Sequence, residues 1–145
     1  MITIKKQEIV KLEDVLHLYQ AVGWTNYTNQ PQMLEQALYH SLATYLARDG
    51  EEIVGLVRLV GDGFSSVFVQ DLIVLPSYQG QGIGSNLMKE ALADYKDAYQ
   101  IQLATEQTEK TLGFYRSLGF ETLSTYDCTG MIWVDRKKIK IILLS

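Results

Sequence analysis

Several things are scarce in this 145-residue sequence. A single cysteine, Cys128, rules out an intrachain disulfide and suits a reducing compartment. It has no basic or histidine neighbour in sequence, so a catalytic thiol is not expected. Only two prolines occur, Pro31 and Pro76, so long structureless segments are not expected. Positive charge is also short: 13 basic residues face 17 acidic ones, for a net charge of -4 and a pI near 5.1. That balance argues against nucleic-acid binding, which draws on clustered Lys and Arg. The one basic cluster, Arg136, Lys137, Lys138 and Lys140, is interrupted by isoleucine and reads as a solvated terminus. No apolar run is long enough to span a bilayer, and the opening Met1–Lys6 lacks a signal-peptide core. A cytoplasmic protein without membrane attachment is expected. His17 and His40 lie in helical stretches with no second ligand at metal spacing, so no metal is expected.

What remains is the ordinary mixture of a folded domain, 47% hydrophobic and 21% charged, and residues 1–145 read as one domain. Thr3 to Lys5 suggests a short strand. Glu13 to Val22 has helical apolar spacing and stops at Gly23. Gly23 to Gln30 reads as a loop, and Pro31 opens a helix from Gln32 to about Ser41. Strands are predicted over Thr44–Arg48, Glu52–Val60 and Ser66–Leu75, separated by Asp49-Gly50 and Gly61-Asp62-Gly63. A helix from about Ile83 to Tyr95, a strand Gln100–Thr105 and a helix Thr108–Leu118 follow. Phe120–Ser124 and Gly130–Val134 suggest a closing strand pair. This order predicts an α+β fold, with a mixed, mostly antiparallel sheet flanked by helices.

The most informative stretch is Asp71 to Gly84. An apolar strand is broken by Pro76, and glycines at 80, 82 and 84 lead into a helix. Glycine permits a tight turn and keeps no Cβ between backbone and ligand. The free N–H groups of the first helical turn then form an anion site, for which a diphosphate is a natural guest. Two common phosphate loops fail on spacing. A dinucleotide fingerprint would need glycine where Ser85 stands, and a Walker loop would need lysine after Gly84. The plainer alternative is a glycine-rich turn that only lets a helix pack closely.

The arrangement Gln79-x-x-Gly82-x-Gly84, between an apolar strand and an amphipathic helix, resembles the acetyl-CoA signature of the GNAT superfamily of N-acetyltransferases. Phe114-Tyr115-Arg116-Ser117-Leu118-Gly119-Phe120 resembles that superfamily's helix-to-strand segment, and one strand separates the two motifs. The resemblance implies a GNAT-like fold over nearly the whole chain. It implies that the backbone of Gln79, Gly80, Gln81, Gly82, Ile83, Gly84 and Ser85 holds the pyrophosphate of acetyl-CoA. It further implies that Leu72, Ile73 and Val74 splay from the next strand and pair with the pantetheine arm. An N–H near Leu72 or Ile73 would then face the thioester oxygen.

The implied reaction moves an acetyl group to a primary amine by direct attack on the thioester. Tyr115 matches the family's tyrosine near the sulfur and is the candidate proton donor; the alternative is a core aromatic, as expected for Phe114 and Phe120. Asp71 is the candidate base or cation-attracting group, with a strand-end charge bonded to a neighbour as the alternative; Glu106 is a second candidate. Strand alternation turns Gln70 to the other face. Trp24 and Tyr27 are candidate substrate-lining residues, equally consistent with packing on the sheet, and Arg58 could meet an anionic substrate group. Net acidity hints at a cationic acceptor, and the short chain favours a small molecule over a protein amine. The apolar Ile139–Leu144 tail is a candidate homodimer contact or final strand. The competing function is a non-catalytic acyl-CoA-binding regulatory module.

Overall fold

The computed structural model describes residues 1–133 and Asp135. The expected strand at Gly130–Val134 therefore lies partly, and the basic cluster and Ile139–Leu144 tail wholly, outside the described residues. The chain divides into two compact units, Met1–Ala104 and a second that begins at Thr105.

In the first unit, β1 (Ile2–Lys6) is followed by three helices, α1 (Leu12–Ala21), α2 (Thr25–Thr28) and α3 (Pro31–Tyr39). Strands β2 (Ala43–Asp49), β3 (Glu52–Gly61) and β4 (Ser66–Val74) come next, then α4 (Ile83–Asp94) and β5 (Gln100–Leu103). The sheet order is β1-β2-β3-β4-β5, antiparallel except for the parallel pair β4–β5. This is the expected α+β architecture. The expected loop Gly23–Gln30 is corrected: Trp24 carbonyl accepts from Tyr27 and Thr28 N–H, closing the single turn of α2.

Alternation along β2–β4 gives the sheet two buried faces. On one, Leu46, Leu56 and Ile73 pack with Val15, Leu18 and Tyr19 of α1, Tyr27 of α2, and Leu34 and Leu38 of α3. Full burial of a leucine contributes roughly 1.5–3 kcal/mol, so this cluster is one main source of the unit's stability. On the other lies α4, whose Ile83, Leu87, Met88 and Ala91 are buried. Gly55 is required there: a Cβ on it would come 2.9 Å from Ile73 O and 3.2 Å from Leu87 Cδ1. Tyr45 Oη donates to Asp94 Oδ2 at 2.6 Å, fastening the end of α4 to β2.

The second unit contains α5 (Glu109–Ser117), N-capped by Thr108, whose hydroxyl accepts from Thr111 N–H at 3.2 Å. The expected strand Phe120–Ser124 is not formed. A 3-10 turn spans Leu123–Tyr126 instead, and Gly130–Trp133 has no regular structure. Local bonding explains the difference: the Thr122 hydroxyl meets Ser124 Oγ at 3.0 Å and Thr125 Oγ1 at 3.2 Å. Such short-range partners compete with a strand ladder.

Candidate active site

Strand β4 changes character halfway along. From Val67 to Val69 it pairs with β3 on one edge and β5 on the other, ending at Val69 opposite Leu103. Beyond that point β5 has ended, and among the described residues Gln70–Val74 keeps only β3 as a strand neighbour. Leu75 N–H donates to Val54 O at 2.8 Å. Antiparallel alternation therefore points the Ile73 amide toward β3 and the amides of Leu72 and Val74 toward the open edge. Of the two expected donors, Leu72 has the required direction and Ile73 does not.

The same strand carries a β-bulge. Arg58 opposes Asp71, but Leu59 opposes Val69, which leaves Gln70 as the extra residue. A bulge breaks strict alternation and re-aims side chains. Gln70 is consequently on the Asp71 side, not the opposite one: its Nε2 lies 3.3 Å from Tyr27 Oη. The expectation from alternation is corrected by one inserted residue.

Asp71 is buried and fully engaged. Tyr19 Oη donates to Oδ2 at 2.9 Å, Tyr27 Oη to Oδ1 at 2.8 Å, and Arg58 Nε to Oδ2 at 2.8 Å. The side chains of Arg58 and Asp71 are only 4% and 2% exposed, so Arg58 is turned inward rather than toward a ligand. Arg58 Nη1 donates to Ser41 Oγ at 3.1 Å and Nη2 to Tyr27 Oη at 3.2 Å. Burial and the negative charge of Asp71 raise the pKa of the Tyr19 and Tyr27 phenols. Burial alone would lower that of the guanidinium, but Asp71 and the two tyrosines outweigh it and raise it. The expected substrate-lining pair forms part of this cluster: Tyr27 is buried, and Trp24 stands edge-on to Tyr19 with ring centroids 6.1 Å apart.

The glycine loop follows directly. A 3-10 turn, Pro76–Tyr78, leaves β4, and Tyr78 Oη donates to Asp49 Oδ2 at 2.7 Å on the β2–β3 hairpin. That bond pushes the Tyr78 phenol up to about 12. Gln79 Nε2 donates to Val74 O at 3.1 Å, tying the loop to the open half of β4. Gly80 and Gly82 both have φ +81°, a region that disfavours residues with a Cβ. A Cβ at either would meet nothing within 4 Å, so the space beside the loop is free. Gly82 is the N-cap of the 12-residue α4 and supplies no side-chain cap. The first-turn N–H groups of Ile83, Gly84 and Ser85 precede the first intrahelical bond, Asn86 N–H to Gly82 O at 3.0 Å. Loop, uncapped helix and open strand edge fit a ligand with an anionic group at one end and amide groups along its length.

In the second unit, Tyr115 lies on α5, half-buried between Phe114 and Phe120 at centroid distances of 5.0 and 5.9 Å. Burial raises its pKa, partly opposed by a hydrogen bond with Thr105, so the phenol keeps its proton at neutral pH. Glu106 is exposed in the same unit. His17 Nε2 meets Ile53 O at 2.8 Å and His40 Nδ1 meets Gln36 O at 2.9 Å. Among the described residues, no group of three or more His, Cys, Asp or Glu could hold a metal ion, and no helix is long and apolar enough to cross a membrane.

A sequence profile described as an acetyltransferase (GNAT) domain matches residues 40–122, which include both motifs. Among solved structures, a GNAT-family acetyltransferase from Streptococcus pneumoniae is 79% identical, with TM-score 0.87. The match covers 94% of this chain and 99% of that one. A probable acetyltransferase from meticillin-resistant Staphylococcus aureus is 25% identical with TM-score 0.77, over 93% of this chain and 100% of that one. Rice serotonin N-acetyltransferase 2, chloroplastic, is 34% identical over 95 residues, 63% of this chain. The chain spans about half of the rice protein, since the match covers 48% of it. With the profile over more than half its length and the bulged strand and glycine loop inside that match, the chain belongs to the GNAT family of acetyltransferases.

Proposed function

We propose that this protein transfers an acetyl group from acetyl-CoA to the primary amine of a small acceptor. The observation that carries the reading is the junction of the open edge at Leu72–Val74 with the uncapped, positive-φ loop Gln79–Ser85. When bound, acetyl-CoA supplies the activated thioester. The amides of Gly80–Ser85 bind its pyrophosphate, aided by the α4 dipole, while Gln79 N–H donates to Pro76 O at 3.3 Å and closes the preceding turn. The Val74 amide engages the pantetheine arm, and Leu72 N–H stabilises the charge that develops on the attacked carbonyl. Tyr115 donates its proton to the departing thiolate, a role its raised pKa suits.

Asp71 takes a structural role in this reading, because three donors already occupy its carboxylate. The amine proton then leaves to water, with Glu106 as the alternative acceptor. The net charge of -4 favours a cationic acceptor in solution, in keeping with a cytoplasmic enzyme.

The test is thiol release from acetyl-CoA against serotonin, spermidine, kanamycin and a lysine peptide. Serotonin comes first because of the rice relative. Turnover of at least one amine, with acetylated product by mass, supports the proposal. Retained acetyl-CoA binding without turnover of any would favour an acyl-CoA-binding regulatory module instead.

A further inference from the structure

The buried network dictates the orientation of a side chain outside it. Arg58 can only donate and the Asp71 carboxylate can only accept. Tyr27 Oη lies 2.8 Å from Asp71 Oδ1 and 3.2 Å from Arg58 Nη2, so its one proton points at Asp71 and a lone pair at Arg58. Gln70 reaches the same oxygen at 3.3 Å. With its proton committed, Tyr27 can offer Gln70 only a lone pair, so the carboxamide must present Nε2 and turn Oε1 away. The two nearly identical orientations of a glutamine amide are thereby reduced to one. Gln70 is exposed, and among the described residues its side-chain bond runs through Nε2, with no partner on Oε1. It is also the bulge residue, two positions before Leu72, whose amide faces the open strand edge.

We infer that Gln70 contacts the acceptor, its Oε1 accepting a hydrogen bond from the attacking amine, with Tyr27 as the positioning residue that fixes the amide. The inference rests on the acetyltransferase reading above and adds a selection rule to it. In the reaction the new N–C bond forms as the C–S bond breaks. One N–H proton of the amine leaves to water, and the thiolate takes the Tyr115 proton. A primary amine has a second N–H, which survives into the product amide. An amide oxygen is too weak a base to remove a proton, so Gln70 can hold that retained N–H from substrate to product. A secondary amine has only the N–H that must leave. A neutral oxygen also suits attack by an uncharged amine, whereas a carboxylate there would favour the ammonium form. Gln70 therefore selects primary over secondary amines.

The experiment compares the best panel amine with its N-methyl derivative, beginning with serotonin and N-methylserotonin, in wild type, Gln70→Leu and Tyr27→Phe. For Gln70→Leu the amine KM is expected to rise about five- to tenfold, the loss of one hydrogen bond, with the acetyl-CoA KM within about twofold. The primary-to-secondary ratio of kcat/KM should fall about as much. Tyr27→Phe should move both quantities in the same direction but less, because the freed amide still samples the right orientation. Gln70 is exposed, so an unchanged melting temperature in Gln70→Leu would exclude a folding artefact. An amine KM and ratio both within twofold of wild type in Gln70→Leu, in an active enzyme, overturn the inference alone. A wild type silent toward every amine overturns the transferase reading and this inference with it.

Discussion

From Val67 to Val69, β4 is held by backbone on both edges, whereas from Gln70 to Val74 it is held by backbone on one edge and by side chains elsewhere. Tyr19, Tyr27 and Arg58 grip Asp71 from below the sheet, and Gln79 bonds the carbonyl of Val74. The contrast shows how a strand can leave main-chain donors free for a ligand without fraying. Buried polar contacts take over the fixing that a neighbouring strand would otherwise provide. A carboxylate held by three donors and an open amide one residue apart, Asp71 and Leu72, are two parts of one arrangement.

The largest expected effect comes from breaking the side-chain grip. Arg58→Ala leaves the Asp71 carboxylate buried without its cation and should destabilise the protein by about 3–5 kcal/mol in urea unfolding. Hydrogen exchange should accelerate more at Ile73, whose amide faces β3, than at Val67 and Val69; equal acceleration along β4 would erase the distinction drawn between its halves. The same grip should fail in alkali. Tyr19 and Tyr27 have raised pKa values in the folded protein, so above pH 10 the unfolded chain loses phenol protons that the native state keeps. The native state then binds more protons, and stability falls as pH rises, by up to about 1.4 kcal/mol per pH unit for each tyrosine. Below pH 10 these two groups should give no slope, and urea midpoints across pH 8–11 check the sign.

Chemistry should respond separately from folding. Tyr115→Phe is expected to lower kcat about a hundredfold while the acetyl-CoA KM stays within about twofold, read from steady-state thiol release. Unchanged turnover would remove Tyr115 as the proton donor. On the loop beside the open half, Gly82→Ala must hold φ near +81° with a Cβ. That should cost about 1–2 kcal/mol of stability and raise the acetyl-CoA KM. An unaltered KM would detach the loop from coenzyme binding.

Much of this was legible in the sequence, for identifiable reasons. Alternation and turn residues marked β2, β3 and β4, and apolar spacing marked α1, α3 and α4, because each buries one face over several residues. The helix α2 escaped because four residues carry no period. The bulge escaped because nothing in Val69-Gln70-Asp71 marks an extra residue, and its omission turned Gln70 to the wrong face. Asp71 could be singled out as a charge in an apolar strand, but its three donors come from residues 13 to 52 positions away. The predicted strand Phe120–Ser124 gave way to hydroxyl groups that bond one another over two or three residues.

The free space beside Gly80 and Gly82 has a consequence in chirality. At both positions an L residue is disfavoured by handedness rather than by size, since nothing stands within 4 Å of where its Cβ would go. A mirror-image residue has the favoured handedness. D-alanine placed at Gly82 by chemical ligation should keep the native turn, and restricting the unfolded chain should raise stability by about 0.4–1 kcal/mol. The L-alanine variant carries the same atoms and should do the opposite. The loop can therefore be stiffened without changing its shape, which offers a way to measure how much of its grip on an anion comes from being held ready beforehand.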